Sequence, residues 1–359
     1  MEIRSKMKKE HILIIRFSAI GDVAMAVPVV YSLAMTYPHV RITVLSREFA
    51  RPFFEDLAPN VNFMEADIKR EYHGVRGLNA LFRRLAAKNF TAIADFHNVL
   101  RSEYLRLRFN MSRYRVEHID KHRKGKKLLT MMRNKQLVQQ PTSFENYADV
   151  LAKLGYPVKI NFHSIFPEEG GNLNLLPAAI GPKNNHEQWI GIAPFAAHES
   201  KTYPLPLMRQ VVDTLRGKHP SARLFFFGRG AQEDNTFTQW CNEIPGTTYV
   251  AKHLENMQQE LILMSHLDVM LSMDSANMHL ASLTATPVVS VWGATHPYAG
   301  FLGWNQNRRD VVQTDLPCRP CSIYGNKPCA RGDFACMRNI APEHIVEKIE
   351  NVLNKDKQG

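Results

Sequence analysis

HILIIRFSAIGD, residues 11–22, decides how this chain is to be read. A short apolar run without polar alternation leads into a Gly-Asp step, and a segment of helical period, Val23–Met35, follows. A strand with no alternating polar face is buried on both sides, which implies a parallel sheet covered by helices. The pattern repeats in RITVLSR (41–47) followed by Ala50–Leu57, and in FTAIADFH (90–97) followed by Val99–Phe109. A second series comprises WIGIAPFA (189–196), ARLFFFGRG (222–230), TTYVA (247–251), LDVMLSMD (267–274) and TPVVSVWG (286–293), with helix-like stretches such as Leu207–Gly217 and Gln232–Cys241 between them. Between the series, Glu168–Gln188 is rich in Gly, Pro and Asn and reads as a connection. The expected organisation is α/β: a first domain over 1–170, a linker over 171–188, a second domain over 189–340, and a C-terminal helix within 341–359 that places Ile345, Ile349 and Leu353 on one face.

Composition agrees with an ordinary globular chain. The 359 residues are 45% apolar and 22% charged, with no repeat period and no low-complexity tract. The net charge of +11 is concentrated, since Arg101–Lys135 holds twelve Lys/Arg against three acids. No apolar run approaches the roughly 18 to 20 residues that cross a bilayer. The basic opening MEIRSKMKKE is followed by only a short apolar run before Arg16, which does not suit an export signal. Five cysteines, four of them within 318–336, do not form the spread framework of a secreted protein, so a reducing cytoplasm is expected.

Four constellations fall where strands give way to helices, the edge at which α/β proteins bind ligands. In Arg16–Asp22, Gly21 permits a tight turn and Asp22 stands near a helix start; helix capping alone would also account for this aspartate. In Asp274-Ser275-Ala276-Asn277-Met278-His279, small residues in a first helical turn leave N–H groups free for a diphosphate, although Asp274 as a cap and His279 as a hydrogen-bonded helix histidine are equally open readings. The loop 193–204 carries Lys201, a flexible point charge suited to a departing phosphate or simply to solvent. Gly228-Arg229-Gly230 precedes Glu233, an acid able to accept from ribose hydroxyls. None of these is a dinucleotide G-x-G-x-x-G or a phosphate-binding G-x-x-x-x-G-K-[ST] loop, which disfavours a nicotinamide-dependent oxidoreductase.

In order, these blocks resemble glycosyltransferase family 9, the ADP-heptose:lipopolysaccharide heptosyltransferases. The resemblance extends from His11 to about Leu353. It is carried chiefly by RFSAIGDVAMAVPV, by Asp274–Ala281 in the pattern D-[ST]-x-x-x-H-L-A, and by Trp292-Gly293-Ala294-Thr295-His296-Pro297. It implies a GT-B architecture, two Rossmann-like domains with parallel sheets facing a central cleft, and inverting transfer of heptose from ADP-heptose to a lipopolysaccharide inner-core acceptor. By position, Asp22 resembles the family's general base, with Ser18 and Gly21 in the same motif. Lys201 resembles its diphosphate lysine, Glu233 the ribose acid, and Asp274, Ser275 and Ala276 the loop beneath the diphosphate; His279 and Gly293 match further motif positions. The sequence departs from the family in having Ser275-Ala276 for Thr-Gly and Phe195-Ala196-Ala197 before Lys201. Transfer from another sugar nucleotide is the alternative within the enzyme class. No cofactor is required on this reading, because lysine and helix N–H groups can stabilise the leaving ADP.

Two features stand outside those motifs. Cys318-x-x-Cys321, Cys329 and Cys336 supply four thiols, enough for a structural zinc, although the spacing of the last two does not match a second knuckle; reduced thiols shaping the loop are the alternative. The basic stretch, with Tyr104, Phe109 and Tyr114 interspersed, suits a solvated face, a nucleic acid, as a zinc-knuckle binding protein would use it, or acidic core sugars and the anionic membrane leaflet presenting them; its place in the acceptor domain that the resemblance implies favours the last over a nucleic acid. The expected partners are thus a sugar nucleotide, a lipid-linked oligosaccharide acceptor and an anionic inner-leaflet surface, with the protein peripheral on the cytoplasmic face of the inner membrane.

Overall fold

The computed structural model describes residues 10–355, so the basic opening Met1–Lys9 lies outside the described residues. The chain divides into two compact units. The first takes the residues up to Lys121 together with Ser143–Phe162, and the second takes His122–Thr142 and everything from His163.

The first unit is built on β1 (His11–Ile15), β2 (Arg41–Ser46), β3 (Val61–Glu65), β4 (Ala92–Asp95) and β5 (Arg115–His118). They form a five-stranded parallel sheet of order β3-β2-β1-β4-β5. All five residues of β1 are buried, as its unbroken apolar run requires of a central strand with helices on both faces. The helix expected over Val23–Met35 is two helices, Ile20–Ala24 and Val27–Thr36; Pro28, which has no N–H to donate, sits at the start of the second. β3 and β5 are only partly buried, so their polar residues mask the apolar signal that marks central strands, and neither is legible in the sequence.

The second unit repeats the plan with β6 (Trp189–Ala193), β7 (Arg223–Phe226), β8 (Thr247–Tyr249), β9 (Val269–Met273), β10 (Val288–Trp292) and β11 (Val311–Gln313), in the order β11-β10-β9-β6-β7-β8. In both sheets the chain begins in the middle, builds outward to one side, then returns and builds to the other. This is the doubly wound Rossmann order, and the strand order reverses between β1 and β4 and again between β6 and β9. The Gly- and Asn-rich connection belongs to the second unit, where Gly171 donates to Ser265 Oγ at 2.8 Å and Lys183 pairs with Asp268 at 2.8 Å. The C-terminal helix, Pro342–Lys355, buries Ile345, Ile349 and Leu353 as their spacing of four demanded.

The core of the second unit centres on Phe237, whose ring stacks on Phe226 at 5.1 Å and contacts Tyr249 at 5.1 Å and Phe195 at 5.5 Å. Its side chain is fully buried. Truncating it removes apolar contact and leaves a void that close-packed neighbours cannot fully close. Phe237→Ala is expected to cost about 3–5 kcal/mol in stability, read by urea denaturation as a lower midpoint. An unchanged midpoint would show that this aromatic cluster does not hold the unit together.

Candidate active site

Parallel strands end at the same edge of their sheet, so loops at their carboxyl ends are neighbours however far apart they are in sequence. At the edge of the first unit, β1 delivers Arg16–Asp22. The Asp22 carboxylate lies 2.6 Å from the Arg16 guanidinium and accepts from the Ala19 backbone N–H at 3.2 Å. The capping reading of Asp22 therefore describes one of its contacts, and the ion pair is a second. Arg16 is buried, donates to the Phe96 carbonyl at 2.6 Å and lies over the Tyr147 ring, whose hydroxyl donates to the Asp22 carbonyl at 3.1 Å. Gly21, expected in a tight turn, lies instead within the short helix at negative φ, its carbonyl accepting from Met25 N–H at 2.9 Å. Ser18 Oγ lies 3.5 Å from His97 Nε2, and His97 stands just beyond the end of β4, across the switch point.

His97 and Tyr147 are residues of this edge that sequence reading misses, and the pairing of Arg16 with Asp22 is a contact it does not show. His97 carries the signal of lying at a strand's carboxyl end; Tyr147 carries none, being 125 residues from Asp22. Burial first, and then the charges of Arg16 and Lys121, push the His97 imidazole down to about 3. It is therefore neutral at physiological pH, a hydrogen-bonding group rather than a cation.

In the second unit, four adjacent strands bring the expected residues to one edge. The loop after β6 carries Lys201, in the 3-10 turn Glu199–Lys201; β9 ends just before Asp274; β10 leads to Gly293; and β7 leads through the glycine turn to Glu233. Lys201 and Asp274 flank the switch point between β6 and β9, and they pair, Nζ to Oδ2, at 3.0 Å. Both side chains are largely buried, and the Thr295 hydroxyl donates to the same carboxylate oxygen at 2.7 Å. Ser275 is the residue before the helix Ala276–Leu283, which carries Ala276 at its first position and a buried His279. Glu233 occupies the first turn of the helix Ala231–Glu243 and packs over the glycine turn. A β-carbon on Gly230, whose φ is +154°, would stand 2.6 Å from Glu233 Oε2, so a larger residue there would push the carboxylate aside. Arg229, within the same turn, is held by Glu260 at 2.6 Å.

The cysteine segment braces this edge. Arg319, between the two cysteines of the C-x-x-C, is buried and donates to the carbonyls of Gly293, Thr295 (2.9 Å) and Thr314 (2.6 Å). Ser200, beside Lys201, donates to the Gly325 carbonyl at 2.7 Å, while the Cys321 N–H donates to the Ala294 carbonyl at 3.0 Å. Cys318, Cys321, Cys329 and Cys336 line a common pocket with Arg319 and Phe334. Burial pushes the Cys336 thiol up to about 11; at Cys329 burial acts in the same sense, but backbone N–H groups led by that of Phe334 outweigh it and draw the thiol down. Among the described residues no group of three or more His, Cys, Asp or Glu is disposed to hold a metal ion.

The basic stretch is divided between the units. Residues from His122 to Lys135 go with the second, where Lys126 lies 4.4 Å over the Phe301 ring and Lys135 donates to the Pro320 carbonyl at 3.0 Å. Of the interspersed aromatics, Phe109 is fully buried against Phe82 and Tyr114, and the Tyr104 hydroxyl donates to Asn79 at 2.8 Å. Phe109 is therefore core, with no face to offer a base.

Two doubly wound parallel α/β units, each with an ion pair at its switch point, define the Rossmann-like class. Comparison narrows the class. The model of glycosyltransferase family 9 (heptosyltransferase) matches residues 78–328, and the chain belongs to that family. A relative in Campylobacter jejuni, lipooligosaccharide heptosyltransferase 2, is 25% identical over 177 residues, 47% of this chain and 52% of the relative, so the match spans about half the relative's length. Among solved structures, a glycosyltransferase of family 9 from Veillonella parvula superposes with a TM-score of 0.74 at 17% identity, covering 98% of this chain and 99% of that one. The E. coli heptosyltransferase WaaC, solved with ADP and with ADP-2-deoxy-2-fluoro heptose, superposes with a TM-score of 0.66 at 16 and 17% identity, covering 95% of this chain and 99% of that one. The fold is thus the GT-B fold of the heptosyltransferase structures.

Two expectations follow from the geometry. A β-carbon on Gly293 would fall 2.4 Å from the Ser200 backbone carbonyl, which cannot swing aside as a side chain would. Gly293→Ala should displace the turn carrying Lys201 and lower the midpoint of urea denaturation; an unchanged midpoint would show that the turn gives way without cost. For His97, an unfolded-state value near 6.5 against about 3 when folded means that the unfolded chain binds the extra proton between them. Its contribution to stability is complete above about pH 6.5 and is lost as pH falls toward 3. His296, lowered to about 4 chiefly by burial, acts in the same sense. His97→Gln should therefore flatten part of the acid-side fall of the melting temperature, and an unaltered slope would place the acid sensitivity elsewhere.

Proposed function

We propose that this protein transfers heptose from ADP-heptose to a lipopolysaccharide inner-core acceptor with inversion at the anomeric carbon. The observation that carries the reading is the Lys201–Asp274 pair at the switch point of the second sheet, set beside the first turn of the helix Ala276–Leu283. A cation with spare donors and a helix N-terminus suit a nucleoside diphosphate. Family membership and the nucleotides bound by the E. coli relative favour ADP over other carriers.

In the proposed step, the acceptor hydroxyl oxygen attacks the anomeric carbon as the bond from that carbon to the diphosphate oxygen breaks. The hydroxyl proton passes to the Asp22 carboxylate, and ADP leaves with the bonding electron pair. Arg16 orients Asp22 at 2.6 Å. Proton transfer comes late in the displacement, when the attacking hydroxyl has become acidic. Lys201 and helix N–H groups stabilise the charge developing on ADP, and Glu233 accepts from the ribose; no metal is called on. Among the described residues no helix is long and apolar enough to cross a membrane. A peripheral position on the cytoplasmic face of the inner membrane fits a lipid-linked acceptor.

Asp22→Asn should leave ADP affinity near wild type and lower transfer by about 100- to 10,000-fold, the range for losing a general base. Lys201→Ala should instead weaken both nucleotide binding and turnover. Near-native transfer by Asp22→Asn, with ADP-heptose as donor, would remove Asp22 from the role of base.

A further inference from the structure

The helix Leu100–Met111 is apolar on two opposite sides. Its inner side buries Leu105 and Phe109 in the core of the first unit. On the outer side Leu100, Leu107 and Met111 are 85%, 55% and 74% exposed. At 3.6 residues per turn these three fall within an arc of about 40°, one continuous stripe along the helix. Scattered exposed apolar residues need no explanation, but an aligned stripe on a helix whose core face is already satisfied does.

The surroundings indicate what covers it. From Gly74 to Arg113, which takes in this helix and the helix Gly74–Ala86 packed beside it, there are eight Lys/Arg and two acids. Of the acids, Asp95 is buried and paired with Arg106, and Glu103 is exposed on this helix and pairs with the same arginine at 3.7 Å. Arg101, Arg83 and Arg76 are exposed. A narrow apolar stripe amid arginines is complementary to an anionic bilayer surface, where acyl chains accept the stripe and lipid phosphates meet the guanidinium groups. The helix also begins five residues beyond the end of β4, at the same sheet edge as Asp22 and His97.

We infer that the outer face of the helix Leu100–Met111 docks the protein on an anionic lipid surface and so brings a membrane-held acceptor to the edge that carries Asp22. The inference rests on the proposed reading in taking the acceptor as lipid-linked.

The test uses the full chain and sedimentation with vesicles of phosphatidylglycerol and phosphatidylcholine, or of phosphatidylcholine alone. Wild type should bind the mixed vesicles, in a salt-sensitive manner, and bind neutral ones at least tenfold more weakly. Replacing Leu107 and Met111 together by Ser should lower binding to mixed vesicles at least tenfold with an unchanged melting curve, whereas Leu175→Ser, at an exposed apolar site of the second unit, should bind as wild type does. Transfer to a water-soluble, deacylated acceptor should be the same in all three proteins. Equal vesicle binding by the double variant and wild type overturns the inference, as does a wild type that ignores the vesicles. A dimer, or an oligonucleotide complex, that dissolves in the double variant while vesicle binding persists overturns it too. If vesicle binding behaves as expected but wild type transfers no heptose even to the soluble acceptor, the docking face stands and the proposed reaction falls.

Discussion

Everything at the two candidate edges depends on strands that run parallel and reverse their order at a central pair. Parallel pairing sends every strand's carboxyl end to one side of the sheet, and reversal at β1/β4 and β6/β9 sends the adjoining loops apart to opposite faces, opening a crevice. The ion pair of Lys201 with Asp274 is the clearest consequence: three α-helices and three strands separate them along the chain, yet neighbouring strands set them 3.0 Å apart. A buried pair of this kind is weak as a source of stability, because desolvation offsets much of its Coulomb energy. Its value is positional, since it fixes an ammonium group whose remaining donors are available to an anion.

The two units solve related electrostatic problems in different ways. In the first, a buried arginine is neutralised by an aspartate that keeps partial access to solvent, and Tyr147 closes over the guanidinium. The neighbouring imidazole is kept uncharged by burial and by the same arginine, so a second cation does not compete for the carboxylate. In the second, the cation is the more flexible partner, and a threonine hydroxyl satisfies the carboxylate that holds it. The first arrangement leaves the aspartate the more accessible partner, the second the ammonium.

The cysteine segment shows how a motif can be visible while its structural work lies elsewhere. Its four thiols do come together around one cavity, as their crowding in sequence suggested. The bracing, however, is done by Arg319 and by backbone groups, which tie the loops after β6 and β10 to the segment. Thiol spacing shows which ligands are near in sequence, not whether their sulfur atoms converge as a tetrahedron. The basic stretch is similar: charge is legible in sequence, but the division of the run at Lys121 between two units is not.

The sequence by itself determined the central strands, the two-unit α/β plan and the positions of Asp22, Lys201, Glu233 and Asp274 at strand ends. Unbroken apolar runs, glycine turns and helix starts are local signals, read within a dozen or so residues. Tertiary structure alone decided the edge strands β3 and β5, the Arg16–Asp22 and Lys201–Asp274 pairs, the closure by Tyr147, and the outward stripe of the helix Leu100–Met111. Partners in space are chosen by sheet order and by which face of an element the core covers, and neither is written in the spacing of residues along one segment.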